Sequence, residues 1–153
     1  MGHRLFVVAP CFVILWTLGP QLRDGFADIP WGTEFDFMKE RYDLVPTAGG
    51  KNKSQYLSNV AKAGKAETGQ CEFEFSNGRF SGVIVTTRGG RNSHALLAYL
   101  KGAYGGGIQE NPLAYQWFAG DTHASYDEDR EGNAYVYIYS LSLQSRQESV
   151  PHR

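Results

Sequence analysis

The chain has 153 residues, of which 20% are charged and 42% apolar, with a formal net charge of −1 and two cysteines. This composition is typical of one globular domain and excludes a collagen-like chain, a charge-rich disordered chain and a disulfide-stapled miniprotein. The near-neutral charge balance argues against nucleic acid as a partner, because contacts to phosphates require an excess of basic side chains.

The first 27 residues have the pattern of a secretory signal peptide. Arg4 precedes an apolar run over residues 5–18, and a small residue, Ala27, ends the segment. As a helix, the 14-residue run would cover about 21 Å, which is less than the roughly 30 Å core of a bilayer. We therefore predict that residues 1–27 are a cleaved signal peptide, with an uncleaved anchor, a different cleavage point or start, and lipidation of Cys11 as alternatives.

Cleavage after Ala27 would leave a slightly acidic chain with one cysteine, Cys71. A lone cysteine cannot form an internal disulfide, so the core must be stabilised by packing, and Cys71 is expected to be a small buried side chain. We predict a single domain over residues 28–145 and a frayed tail over 146–153, without a stable membrane span. The expected location is the periplasm or the outside of the cell.

The first predicted element is a short helix over residues 34–43. Thr33 is followed three positions later by a carboxylate, as in a capping box, and Phe35, Met38 and Tyr42 then recur at helical spacing. The helix is expected to present one apolar face to the core.

A weak strand over residues 55–60 is followed by a hairpin. Apolar and polar side chains alternate over residues 70–76, and a strand rich in β-branched residues follows over 80–87. Asn77 and Gly78 lie between them and supply the positive φ angles that a tight hairpin turn needs.

The second half of the chain repeats this order. Asn92 or Ser93 is predicted to cap a helix that ends near Tyr104. Three strands are predicted to follow, over residues 115–118, 122–126 and 134–143. We therefore expect an α+β fold of two tandem αβββ halves, in which an antiparallel sheet carries two helices on one face.

Metal and cofactor chemistry has little support in the sequence. Asp127, Asp129 and Glu131 resemble the start of a calcium loop, but Ile138 stands where the closing glutamate is required. We therefore predict a hairpin turn here, with a metal site as the weaker alternative, and no cofactor.

Glu72 and Glu74 lie two positions apart on a predicted strand, so both carboxylates face the same side. Such a pair is what glycoside hydrolysis requires, and a small hydrolase or a carbohydrate-binding enzyme is the alternative function. Because the wet face of any alternating strand produces the same pair, we assign no catalytic residue and predict that the protein is not an enzyme.

The candidate binding surface is aromatic. Tyr135, Tyr137 and Tyr139 recur at period two on the last predicted strand, which places three phenol rings on one face of the sheet. Together with Trp117, they are the candidate binding residues, because aromatic rings are common anchors of protein contacts. The alternative is that cross-strand tyrosine pairs only stabilise the sheet.

Three segments carry a resemblance to a known group of proteins: residues 28–33 before the first helix, Gly78-Arg79-Phe80 in the hairpin, and Tyr115-Gln116-Trp117 before a tyrosine-rich strand. Together they resemble small uncharacterised exported proteins of Gram-negative bacteria. The tandem helix-plus-sheet order is similar to β-lactamase inhibitor protein-like domains, although the disulfides typical of those inhibitors are missing. The resemblance implies that the aromatic sheet face grips an envelope or extracellular protein.

Overall fold

A computed structural model of the protein describes residues 24–50 and 52–148, with side chains described up to Ser145. Most of the predicted signal peptide and the end of the predicted tail lie outside the described residues. The strands are β1 (Gly25–Phe26), β2 (Ile29–Pro30), β3 (Val45–Gly49), β4 (Lys53–Leu57), β5 (Lys62–Ala63), β6 (Ala66–Glu67), β7 (Gln70–Ser76), β8 (Arg79–Thr87), β9 (Ile108–Asn111), β10 (Ala114–Ala119), β11 (Thr122–Glu128) and β12 (Ala134–Ser140). The helices are α1 (Phe35–Lys39), α2 (Gly90–Tyr104) and α3 (Leu141–Glu148).

One antiparallel sheet of eight strands dominates the structure, in the order β3-β4-β7-β8-β12-β11-β10-β9. Two small hairpins, β1-β2 and β5-β6, lie beside it. Across the described part of the chain, the helices do not have the length and apolar character needed to cross a membrane.

The fold is β-rich, so the predicted α+β class with two helices packed on one face is wrong. The first helix, α1, has only five residues, and α3 packs against β7 and β12 from the side opposite to α2. The predicted count of three strands in each half is also wrong, because β3 and β9 add a strand at each edge of the sheet. Small hairpins and irregular segments, rather than two full helices, provide much of the cover over the core.

Capping residues explain why the helix predictions differ from the structure. The Thr33 hydroxyl donates to the Pro30 carbonyl at 2.7 Å, so it does not form the expected capping box, and α1 ends at Lys39. Ser93 lies inside α2, where its buried hydroxyl donates to the carbonyl of Gly132 at 2.6 Å. The helix instead begins after Gly89, whose φ of 78° is readily adopted only by glycine.

The β7-β8 hairpin is confirmed by the structure. Asn77 has a φ of 51° and Gly78 a φ of 74°, as the tight turn requires. On β7, Phe73 and Phe75 are buried in the core, as is Cys71, whose pKa is raised to about 12 by burial. A thiol with such a high pKa stays protonated, so Cys71 behaves as the expected small core side chain.

The core lies between α2 and one face of the large sheet. Leu96 and Leu100 of α2 are fully buried with Val83 of β8 and with Val136 and Ile138 of β12. This arrangement leaves the other face of the sheet available for polar and aromatic side chains.

The chain preceding Asp28 also takes part in the fold. Phe26 is only 2% exposed and its ring lies 6.4 Å from that of Tyr99 in an edge-to-face arrangement. The backbone carbonyl of Gly25 accepts a hydrogen bond from Tyr104, and an oxygen of Asp24 accepts one from the backbone of Asp121. The last residues of the predicted signal peptide therefore contribute core and backbone contacts.

Candidate functional site

The sheet face opposite α2 carries the tyrosines of β12 and is called the tyrosine face. Val136 and Ile138 point into the core, so the intervening Tyr135, Tyr137 and Tyr139 point the other way. Tyr135 is 48% exposed, whereas Tyr137 and Tyr139 are half-buried. The three candidate tyrosines thus share a face, as the sequence predicted, but only Tyr135 is freely accessible.

Cross-strand pairing arranges the tyrosine face in rows that run across the sheet. Residues directly opposite each other on neighbouring strands lie on the same face, so each row can be followed from strand to strand. The Tyr137 row consists of Val45, Leu57, Glu72, Ile84, Tyr137, Ser125, Gln116 and Ile108. The Tyr139 row consists of Ala48, Gln55, Glu74, Gly82, Tyr139, His123 and Phe118.

A buried carboxylate lies at the centre of this face. Glu74 is only 2% exposed, and its Oε2 atom accepts a hydrogen bond from the Tyr137 hydroxyl at 2.6 Å. The ammonium of Lys53 lies 3.1 Å from the same oxygen, and the Gln55 amide donates to Oε1 at 2.6 Å. Burial and the Glu74 carboxylate both raise the pKa of Tyr137, so its hydroxyl remains a donor. These partners offset the cost of burying the charge.

Gly82 makes the space that Glu74 occupies. It is paired with both Glu74 and Tyr139 across the sheet. A Cβ atom at this position would lie 3.0 Å from Glu74 Oε2 and 3.3 Å from the Cβ of Tyr139. The absent side chain therefore lets the carboxylate lie flat against the sheet between its neighbours.

A second polar chain leads from Tyr139 towards the edge of the sheet. The Gln116 amide donates to Glu110 at 2.6 Å, so its oxygen faces Nε2 of His123 at 3.4 Å. This arrangement assigns the ring proton of His123 to Nε2, and Nδ1 then accepts the hydrogen bond from the Tyr139 hydroxyl at 2.7 Å. Desolvation lowers the pKa of His123, which favours this neutral form.

Phe118 ends the Tyr139 row with an exposed aromatic ring. It is 62% exposed and stacks on His123 with ring centroids 4.5 Å apart. His123 in turn meets Tyr139 edge to face at 5.0 Å, and Tyr139 lies 4.8 Å from Tyr137. Ile108, at the end of the neighbouring row, is 61% exposed. This edge of the face therefore combines accessible apolar side chains with rings held by their neighbours.

At the other end of the Tyr137 row, Val45 and Leu57 are exposed on β3 and β4. The helix α3 covers the middle of the face, where it packs on β12 and β7. The Gln144 amide of α3 donates to the Tyr137 hydroxyl at 3.0 Å. The accessible apolar side chains thus lie on both sides of α3.

Trp117 is not part of this surface. Its side chain points into the core and is 2% exposed, and its indole nitrogen donates to the Gly105 carbonyl at 2.8 Å. The structure therefore separates Trp117 from the three candidate tyrosines. Its neighbour Phe118 alternates to the opposite side and reaches the tyrosine face.

The weak metal alternative falls on a hairpin turn. One carboxylate oxygen of Asp129 accepts hydrogen bonds from the backbone of Glu131 and Asn133, and the other accepts one from the Asn133 amide. These bonds lower the pKa of Asp129.

Within residues 24–50 and 52–148, His, Cys, Asp and Glu side chains form no group suited to holding a metal. An open depression of about 560 Å³ beside Tyr135 includes Asp127 and Asp129 in its lining.

The carboxylate pair of the alternative function lies on the tyrosine face, as the strand periodicity predicted. Glu72 accepts a hydrogen bond from Gln70, whereas Glu74 is held by its three donors at the centre of the face. The two carboxylates therefore have different environments, one near solvent and one enclosed.

Sequence reasoning missed Phe118, His123, Gln116 and Gly82 as members of one surface. The alternation of Gln116 and Phe118 with Trp117 was available as a signal, but the assignment of Trp117 to the binding surface reversed the orientation of that strand. The place of Gly82 depends on the pairing of β8 with both β7 and β12, which local sequence does not specify.

Comparisons of the chain with protein-family models, curated proteins and solved structures found no match.

Proposed function

We propose that the protein is an exported, non-catalytic binding module that grips a protein partner with its tyrosine face. The observation that carries this proposal is the exposure of Phe118 on one face of the sheet, where the residue is 62% exposed. Large apolar side chains that remain exposed on one face are typical of contact surfaces, since their burial by a partner is favourable.

The surroundings of Phe118 also favour a protein contact. His123 stacks against one side of its ring and is itself tied to Tyr139 and Gln116 by hydrogen bonds. An aromatic side chain that is already ordered loses little conformational freedom on binding. Gln116 and Glu110 place amide and carboxylate groups beside it, which resembles the polar rim around the apolar centre of an interface.

Export is a separate part of the proposal and rests on the sequence of residues 1–27. Because Phe26 lies in the core, cleavage after Ala27 would remove a buried ring from the folded protein. Expression of the full chain, followed by fractionation and intact-mass measurement, tests both points. We expect a processed protein in the periplasm or the medium, and a full-length cytoplasmic chain would contradict export.

The binding surface is tested by capture of envelope or extracellular proteins with immobilised protein. Phe118→Ala is the test variant, and Phe37→Ala is the matched control, because Phe37 is 70% exposed but lies on α1, on the core side of the sheet. We expect the Phe118 variant to lose a captured protein that the wild type and the Phe37 variant both retain.

Equal capture by all three proteins would exclude Phe118 from the binding surface. The circular dichroism spectra and the melting temperatures of both variants should match those of the wild type, since each variant replaces a ring that is mostly in solvent. A triple replacement of the β12 tyrosines is less suitable, because Tyr137 and Tyr139 hold internal hydrogen bonds whose loss would affect folding as well as binding.

A further inference from the structure

Among the described side chains, polar contacts hold the helix α3 in place at two points. At its start, Asp121 accepts hydrogen bonds from the backbone and the hydroxyl of Ser142, both at 2.8 Å, and from the Ser140 hydroxyl at 2.5 Å. Farther along, Gln144 donates to the Tyr137 hydroxyl. The first contact fixes the beginning of the helix to the turn between β10 and β11, and the second holds its body over the centre of the face.

The packing of α3 contributes few buried apolar groups. Leu141 is 38% exposed and Leu143 is half-buried, and the described side chains of α3 include none that is fully buried. A helix of eight residues is also too short to be stable alone, since isolated helices shorter than about 12 residues are marginal in water. Elements with little apolar burial open at a low free-energy cost, well below that of global unfolding.

The length of α3 explains what it leaves uncovered. At 1.5 Å per residue it is about 12 Å long, whereas a row that crosses eight strands is about 34 Å long. The exposed ends of the Tyr137 row, Val45 and Ile108, lie at the two edges of the sheet, and Phe118 lies beside Ile108. A partner that contacts both ends of the face must therefore pass over the place that α3 occupies.

We propose that α3 is a displaceable cover that competes with the partner for the centre of the tyrosine face. This inference rests on the proposed function and adds its regulation. In the free protein, α3 shields Tyr137 and the Glu74 carboxylate beneath it. When the cover opens about its anchor at Asp121, Tyr137 and Tyr139 join the exposed side chains at both ends of the rows. Because binding then requires the open form, the apparent affinity falls in proportion to the fraction of molecules that are open.

Gln144→Ala is the variant that tests the cover. It removes the contact with Tyr137 but leaves the bond between Tyr137 and Glu74 in place. Ser145→Ala is the matched control, because Ser145 is exposed on the same helix and its hydroxyl donates to the Ser142 carbonyl within α3. Both variants gain an alanine in the helix, so a difference between them reports the contact rather than helix propensity.

Hydrogen exchange of the full chain measures the opening directly. In the wild type, we expect the amides of α3 to exchange much faster than those of β12. Gln144→Ala should increase the α3 rate about threefold to tenfold, as expected for the loss of one hydrogen bond, and leave β12 unchanged. Equal protection of α3 and β12, or equal rates in the two variants, would overturn the proposal without any reference to a partner.

Capture of the Phe118-dependent protein measures the competition. At limiting partner, Gln144→Ala should retain about threefold to tenfold more of that protein than the wild type, while Ser145→Ala should match the wild type. If the Phe118-dependent protein is retained equally by all three, α3 does not compete, although the binding function stands. If Phe118→Ala captures the same proteins as the wild type, the proposed function itself fails, and the competition fails with it.

Discussion

At the scale of single residues, Glu74 determines how the tyrosine face is organised. A carboxylate with 2% exposure is costly to bury unless donors surround it. Two strands supply the donors, β4 through Lys53 and Gln55 and β12 through Tyr137, while β8 leaves room for the carboxylate at Gly82. The charge thus fixes the relative positions of strands that are distant in sequence.

Removing one donor should destabilise the protein measurably. Tyr137→Phe deletes the hydroxyl that donates to Glu74 at 2.6 Å. Because a hydrogen bond to a charged group contributes about 1.5–3 kcal/mol, we expect the free energy of unfolding to fall by that amount. Urea unfolding checks this, with Tyr135→Phe as a control that should change the free energy by less than about 0.5 kcal/mol. Equal effects of the two substitutions would show that the Glu74 contact is not stabilising.

His123 should make stability depend on pH. Burial lowers its pKa below the ordinary value of 6.5 that it regains on unfolding, so the unfolded chain binds more protons between the two values. The contribution of His123 to stability is therefore complete above about pH 6.5 and is lost as the pH falls towards the pKa of the folded protein.

Unfolding of the wild type and of His123→Gln at pH 7.5 and pH 5 measures this contribution. We expect the stability of the variant to decrease less over this interval than that of the wild type. His94→Gln is the control, because the His94 side chain is 74% exposed and lies 3.9 Å from Glu128. An NMR titration in which the His123 midpoint lies above 6.5 would contradict the lowered pKa on which this prediction rests.

At the scale of elements, β1 shows how much the residues before Asp28 contribute. Phe26→Ala in the full chain removes a ring that is 2% exposed, and such truncations typically cost about 3–5 kcal/mol. We expect a loss of this size in urea unfolding. Phe37→Ala, at a position 70% exposed, should cost less than about 0.5 kcal/mol. If Phe26→Ala cost as little as Phe37→Ala, the ring in β1 would be dispensable for stability, as cleavage after Ala27 requires.

The elements that sequence predicted correctly have strong local signals. The β7-β8 hairpin combines strict alternation with an Asn-Gly turn, and both features act within a few residues. The edge strands β3 and β9 were missed because all their residues are exposed, so they show no apolar alternation. The helix α3 covers residues that the sequence predicts as the end of a strand and the start of a frayed tail. Its packing on β12 and its anchor at Asp121 depend on contacts outside its own sequence.

At the scale of the whole molecule, the sequence predicts which side chains of β12 face the core, but not which residues of neighbouring strands lie beside them. The period-two pattern of β12 correctly separated Val136 and Ile138 from the tyrosines. The rows that carry the candidate site cross seven or eight strands, and their composition depends on the register of every pair. Register is set by hairpin turns where these exist, but the junction of β8 with β12 joins residues about fifty positions apart. The members of the site therefore required the structure.

That junction should make the chain unfold as one unit. β8 is paired with β7 on one side and with β12 on the other, and β12 is paired with β8 and β11, so neither half of the sheet can separate without exposing Val85 and Val136, which are fully buried. We expect one urea transition, coincident by fluorescence and circular dichroism, with the slowest hydrogen exchange in β8 and β12 and the fastest among sheet strands in β3 and β9. Two separate transitions would show that the halves are stable alone, and that the contacts of Glu74 with Tyr137 across the junction are not needed to hold either half together.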